Sequence, residues 1–340
     1  MATNFQTTTT GSGGKTASLR EDLANYISNI SRDLTPFTSS IGKSKATQTL
    51  HEWSTDTLAD ATIQAAIEGS DFAVSDGPVV ERLGNKTQIF TKGLRVSGTL
   101  EAVDKAGRKS EFKYQTEKRG KEIARDIELT LVSAQIAGTP ATSGQLGSDT
   151  SPVTLSAALP SGARLMGGYQ SWAGAAVTAD GGTLTQASGD GTDVASTSGG
   201  TAAAFSLDDI NEVLRSINGE TSAAPSKVMM STAQKVNFSN LINNDTMNTR
   251  RNIDEKGKLR QSVDLYESDF GDVELVHNYL MGDGEVFVYD PSLLSLATLR
   301  PIHFRDINED GDSLRSYMVC EHTLVAKSPS GNGIIVGTAL

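Results

Sequence analysis

Residues 108–137 read RKSEFKYQTEKRGKEIARDIELTLVSAQIA, a stretch free of proline and dense in charges of both signs. Lys113, Glu117 and Lys121 stand four residues apart, as do Lys118 and Glu122. That spacing supports an exposed helix by about 0.2–0.5 kcal/mol per pair. Ile123, Ile127 and Leu131 add an apolar stripe, but only to the second half. At 1.5 Å per residue, a helix over 108–137 measures roughly 45 Å, longer than a small domain is wide. Gly120 softens it at a cost of about 1 kcal/mol relative to alanine. Two readings fit: a solvated surface helix, or a spine running along an elongated protein, to which a first half polar on all sides points.

Working outward toward the N-terminus, residues 83–100 alternate, with Leu94 and Val96 set between Arg95 and Ser97. This is the period of a strand with one wet face. A strand is also expected over 47–57, around His51-Glu52-Trp53, so 47–99 reads as a long hairpin. A helix from Leu19 places Leu23, Tyr26, Ile27 and Ile30 on one face and must stop before Thr35-Pro36. Residues 1–18, dominated by Thr, Gly and Ser, read as a disordered arm.

Toward the C-terminus the character changes. Residues 138–204 hold 13 glycines and a single basic residue, Arg164. They form either a flexible insertion or short strands joined by glycine turns. Ser206 and Asp209 then make a capping-box pattern ahead of an apolar face of Leu207, Ile210, Val213, Leu214 and Ile217, with Asn218-Gly219 as the stop. A strand at Lys227–Met230 and a helix at about Thr232–Asn243 follow. Strands are expected at Val263–Tyr266, Val273–His277, Val286–Tyr289 and Tyr317–Lys327. The class is mixed α+β.

Composition narrows the function. The chain has 340 residues and a formal net charge of -11, enough for two domains or one with large extensions. Ser (36), Thr (35) and Gly (33) fill places that a compact enzyme gives to core, so stability is expected to come partly from oligomerisation. One cysteine, Cys320, excludes an internal disulfide framework and a cysteine-rich metal site. No run is long and apolar enough for a membrane helix, and the N-terminus lacks a signal-peptide pattern, so a cytoplasmic setting is expected. The acid surplus argues against gripping nucleic acid through a broad basic face.

Motifs that resemble chemistry are weak. Gly11-Ser12-Gly13-Gly14-Lys15-Thr16 looks like the end of a phosphate loop, but Thr9 stands where the first glycine belongs and no buried strand precedes it. Asp306, Asn308, Asp310, Gly311 and Asp312 match half of a calcium loop, yet its twelfth position is Tyr317 instead of a bidentate Glu. An Asp/Asn/Gly turn is the reading taken, with a bound cation as the minor alternative. His51, His277, His303 and His322 lack ligand spacing and read as structural. Ser40-Ile-Gly-Lys43 fits a Ser-x-x-Lys pattern without its partner motifs. No catalytic, cofactor or metal residue is assigned. The basic run Arg250, Arg251, Lys256, Lys258 and Arg260 reads as a solvated loop, or as one that meets an acidic patch on a neighbouring copy.

The ordered series Leu34-Thr35-Pro36-Phe37, Ile41-Gly42-Lys43, His51-Glu52-Trp53 and Val96-Ser97-Gly98-Thr99 ahead of the charged helix resembles the major capsid proteins of tailed bacteriophages. More narrowly, it resembles a branch with Thr-Pro-Phe and, later, Glu-Trp. Gly167-Gly168 before Trp172, Tyr266-x-x-Asp269-Phe270-Gly271, Leu299-Arg300-Pro301, Gly311-Asp312 and Glu321-x-Thr323-Leu324 continue it. The likeness runs from about Asp22 to the end and leaves out the first 18 residues and the Gly-rich part of 138–204. It implies the Hong-Kong-phage capsid fold: an arm (1–46), an extended hairpin loop (47–99), a peripheral domain with the spine helix (100–137), a Gly-rich insertion or variable loop (138–204), an axial domain (205–298) and C-terminal strands returning to the peripheral domain (299–340).

The resemblance implies a non-enzymatic shell subunit. It forms pentamers and hexamers of an icosahedral capsid around double-stranded DNA, without sequence-specific binding. Scaffolding, portal and decoration proteins are the implied further partners. The virion, assembled in the host cytoplasm, is the implied location. The Lys–Asn cross-link of some relatives finds no matching motif. A tail or decoration subunit is the structural alternative, and a nucleotide-binding enzyme using Lys15 the remote one.

Overall fold

The computed structural model describes residues 34–59, 61–69, 71, 77, 79–105, 108–138, 162–179, 181–201, 206–221, 223–244, 264–308 and 311–338. The helix expected from Leu19, the loop around Lys15 and the basic run 250–260 lie outside them.

Thr35 lies outside the helical region (φ −127°, ψ 74°), and Pro36 opens α1 (Pro36–Ser40), where a missing N–H costs nothing. Strands β1 (Gly42–Lys45) and β2 (Leu50–Thr55) follow, and β2 pairs antiparallel with β3 (Glu81–Lys86). The two-stranded excursion ends there. Thr87 donates its N–H to the Thr49 carbonyl, and β4 (Gln88–Ser97) pairs along its whole length with another strand. Hence 88–97 leaves the hairpin that the sequence reading gave to 47–99.

Helix α2 (Gly98–Ala102) precedes the spine helix α3 (Glu111–Val132), which has 22 residues, not the expected thirty. Its length is about 33 Å. Ser110 sets its start by accepting the Lys113 N–H, and the Glu101 carboxylate takes the N–H groups of Glu111 and Phe112. Those are donors that no helical carbonyl can reach. Ser133 ends the helix, and the chain beyond turns toward residues 165–168. Glu122, expected to pair with Lys118, holds Arg119 one turn earlier.

Past α3 come β5 (Ala175–Thr178), β6 (Thr183–Thr185), β7 (Ser196–Ser198), α4 (Leu207–Glu220), β8 (Lys227–Met230) and α5 (Thr232–Asn244). Then β9 (Leu265–Ser268), β10 (Gly271–His277), β11 (Glu285–Tyr289), β12 (Leu294–Ile307), β13 (Ser313–Ala326) and β14 (Gly333–Val336) complete the chain. The capping box forms at Ser206 and Asp209, and α4 continues past Asn218-Gly219 to Glu220.

Two main sheets result. One runs β1-β12-β13-β4 and carries α3 on one face; the other runs β5-β14-β11-β8-β10-β9 with α4 and α5 against it. The largest core lies where they meet, joining Ile123, Ile127 and Leu131 to Phe37, Tyr169, Trp172, Phe287 and Met318. A second core under α4 joins Ile210, Val213, Leu214 and Ile217 to Val228, Val286 and Ile335.

β12 was unforeseen because Pro301 interrupts it; register shifts between Thr298 and His303 absorb the missing N–H as a bulge. The C-terminal strands are expected to return to the peripheral domain; β12 and β13 do lie in the sheet that carries the spine helix, whereas β14 inserts between β5 and β11 in the six-stranded sheet. Of the two readings of 138–204, the described part follows the second: β5, β6 and β7 are short strands with glycines between them, Met166, Tyr169 and Trp172 are fully buried, and β5 closes an edge of that sheet. A chain passing this close to others needs small residues, which is why it is glycine-rich. A Cβ on Gly168 would stand 2.4 Å from the Ser133 carbonyl oxygen.

Candidate assembly interface

The residues singled out for chemistry are occupied in holding the fold. The Ser40 hydroxyl donates to the Phe37 carbonyl at 2.8 Å and lies 2.9 Å from the Tyr289 hydroxyl, while Lys43 is exposed on β1. All four histidines lie in strands. His322 is buried beside Thr298, 3.0 Å from its hydroxyl; burial lowers its pKa, against the opposing pull of Glu321. Cys320 is buried too, and burial pushes its thiol up to about 11 although Arg300 pulls the other way. Among the described residues no group of three His, Cys, Asp or Glu is placed to hold a metal ion. Asp310 lies outside the described residues. Asp312 turns to the N-terminus of α2, its carboxylate 3.5 Å from the Thr99 hydroxyl. It borders a cleft of about 350 Å³ whose other carboxylate, Glu101, is engaged at the start of α3.

Buried polar hubs join distant segments. Glu128 of α3 is wholly buried; its Oε1 accepts from the Phe37 N–H and Asn278 Nδ2, and its Oε2 from the Thr38 N–H and hydroxyl. Glu321 of β13 accepts from Thr87, Arg164 and Arg300. Burial pushes its pKa up, but Thr87 and the two guanidinium groups outweigh that and hold the carboxyl below its usual value. Neither hub was foreseen, because a lone Glu in a charged helix or strand carries no signal of its partners.

The β2–β3 hairpin is rooted at this junction. Asn85 exchanges hydrogen bonds with the Gly167 backbone and donates to the Leu324 carbonyl. Trp53 packs on Trp172 with ring centroids 5.1 Å apart. Beyond the root the chain changes. Leu58, Ile63, Ile67 and Val79, between the strands, are almost fully exposed, Leu58 at 97%. Large apolar side chains left exposed together mark an interaction surface.

The family profile described as SU10 major capsid protein matches residues 1–339. The chain belongs to this family. The match takes in the N-terminal residues and 138–204, which the sequence resemblance had left outside. The major capsid protein of Escherichia phage Phieco32 is 45% identical over 116 residues, spanning 33% of this chain and 32% of that protein, so the alignment covers about a third of the curated relative. Among solved structures, one chain of the cyanophage A-1(L) capsid asymmetric unit superposes with a TM-score of 0.64 at 13% identity, covering 95% of this chain and 98% of that one. A capsid chain of a native GTA particle gives 0.60 at 11% identity over 95% and 96%. At such identities the likeness speaks for the fold, the Hong-Kong-phage capsid type expected from the sequence.

Proposed function

We propose that this chain is the building block of an icosahedral shell, assembling into pentamers and hexamers around double-stranded DNA. The observation that carries this is the segment between β2 and β3, where the side chains of Leu58, Ile63 and Val79 are almost fully exposed. Burying them against a neighbour contributes about 25 cal/mol per Å² of apolar surface, which supplies association that a glycine-rich body lacks alone.

In this reading residues 1–46 are an arm and the hairpin that begins near 47 reaches a neighbour. α3 is the spine of a peripheral domain, and the six-stranded sheet with α4 and α5 is the axial domain at the capsomer centre. The role is mechanical, with no chemistry asked of any side chain. The DNA is enclosed without sequence readout, scaffolding, portal and decoration proteins are the remaining partners, and assembly takes place in the host cytoplasm.

The test is light scattering with negative-stain microscopy of the purified full chain and of a variant lacking 58–79. Capsomers or shells are expected from the full chain and a folded, unassembled subunit from the variant. A full chain that stays a compact monomer would overturn the proposal.

A further inference from the structure

The N-terminal part of α3 concentrates positive charge in a chain that is acidic as a whole. Between Arg108 and Arg125 stand seven Lys or Arg and three Glu, whereas the whole chain has a formal net charge of -11. Two of those carboxylates are engaged along the helix: Glu111 by Arg108 and Gln115, and Glu122 by Arg119. Lys109, Lys113 and Lys118 are exposed and form no ion pair among the described residues. Glu117 is the one carboxylate of the stretch left over for them.

This distribution runs against the helix's own field. The N-terminal end of a helix is its positive pole, and cations are favoured at the other end. α3 has basic groups before and within its first turn, at Lys109 and Lys113, and none in its last. The N–H groups of that first turn are already taken by Ser110 and Glu101, so the unanswered charge is that of the ammonium groups. An anion laid along the helix relieves it.

The surroundings of the lysines decide what kind of anion fits. A protein partner is held by an apolar centre, and lysine is depleted at such contacts. From Lys109 to Lys121 every exposed side chain is a Lys or a Glu, while Phe112 and Tyr114 are half-buried. Lys113 to Lys121 covers about 12 Å of helix, a length over which a DNA duplex carries about seven phosphates.

We infer that the strip formed by Lys109, Lys113 and Lys118 contacts the phosphate backbone of the enclosed duplex, which turns the N-terminal part of α3 toward the shell interior. This rests on the assembly reading above and names the surface of the shell that meets its contents. Lysine answers phosphate as a compact point charge and reads no base, so the contact is independent of sequence. The acid surplus of the rest of the chain confines it to the strip. It is salt-sensitive, because exposed charges are screened over about 8 Å at physiological ionic strength.

The experiment titrates a fluorescently labelled DNA duplex with the purified full chain, reading anisotropy from about 50 to 200 mM NaCl. It compares wild type with Lys109→Gln/Lys113→Gln/Lys118→Gln. The control, Lys43→Gln/Lys45→Gln/Arg305→Gln, removes the same charge from exposed positions elsewhere. Wild type is expected to bind two unrelated duplex sequences equally. The strip variant is expected to bind about tenfold more weakly or worse at the lowest salt, with a log–log salt slope shallower by about 0.9 for each lysine lost. The control is expected to bind as wild type does. A melting temperature of the strip variant no lower than that of wild type shows that the lost binding is not lost folding.

If the folded strip variant keeps wild-type affinity and slope, or if the control loses as much, the inference fails. Light scattering reads assembly separately: where wild type assembles, the assembly reading stands whatever the duplex does. If wild type never assembles, that reading falls and the inference with it. Poly-glutamate that binds wild type as tightly as the duplex, and not the strip variant, would make the occupant an acidic protein segment. Displacement of the duplex by millimolar inorganic phosphate at constant ionic strength would make the strip a site for the free ion. Either result overturns the inference.

Discussion

Glu128 and Asn278 stand 150 residues apart in the chain, and Oε1 of the first accepts a 2.7 Å hydrogen bond from Nδ2 of the second. Through that carboxylate the spine helix grips the end of β10 in one sheet system and the first turn of α1 from the N-terminal side. Glu128→Ala leaves the buried Phe37 N–H and the half-buried Thr38 N–H without an acceptor and leaves Asn278 Nδ2 only its weak bond to the Met229 sulfur. A loss of about 3–5 kcal/mol is expected, read from the denaturation midpoint at constant m-value. A loss under about 1 kcal/mol would mean that water replaces the carboxylate without penalty.

Two glycines of similar standing in the sequence are expected to respond oppositely to alanine. At Gly168 the new Cβ would meet the Ser133 and Thr130 carbonyl oxygens at 2.4 and 2.9 Å, both backbone atoms, so the segment must shift. About 2 kcal/mol or more is expected to be lost. At Gly120, inside α3, the nearest contact is the Met318 methyl at an ordinary 3.6 Å, and alanine gains about 0.5–1 kcal/mol in helix propensity. Thermal melts of both variants, with Tm moving down and up respectively, check the pair.

Acid is expected to loosen the β12–β13 region in two stages. His322 titrates lower in the folded chain than its ordinary 6.5, so the unfolded chain binds the proton first and stability falls as pH drops below 6.5. Glu321 titrates below its ordinary 4.5, so its contribution is complete above 4.5 and is lost as pH falls through the lowered value. His322→Gln should flatten the first stage alone. Denaturant midpoints between pH 8 and 3 measure both, and a stability that rises toward pH 5 would contradict the assignment.

The chain has two tryptophans, and they touch. Trp172 is fully buried, and Trp172→Ala should cost about 3–5 kcal/mol. Trp53 is half-buried at the root of the hairpin, so Trp53→Ala should cost less while freeing the hairpin's direction. Near-ultraviolet circular dichroism should lose the coupled-indole signal in either variant, with assembly impaired in Trp53→Ala although the body remains folded.

Elements governed by neighbours a few residues away were legible. The α4 stripe and its Ser206–Asp209 box, the strand at Lys227–Met230 and the strand around His51-Glu52-Trp53 all stand where the periods predicted. The spine helix was legible in kind but not in extent. Charge spacing continues smoothly through Lys109, whereas the Ser110 cap and the carboxylate of Glu101, ten residues from the Glu111 it caps, decide where helical bonds begin. β12 was hidden because Pro301 argues locally against a strand, and only pairing with β13 across a bulge overrides it.

The same division runs through the function. Period, caps and the colinear motif series follow from sterics and hydrogen bonds within a turn or two, so they are written in order along the chain. That β1 pairs with β12, that Gly168 must be small, and that Glu128 meets Asn278 depend on residues 253, 35 and 150 positions apart respectively. Such pairings are chosen by the total burial of the folded chain, not by any local preference. A row of arginines on the four-stranded sheet is one such case. Arg95, Arg305 and Arg315 are unremarked singly in the sequence, and only the register of β4, β13 and β12 sets them side by side.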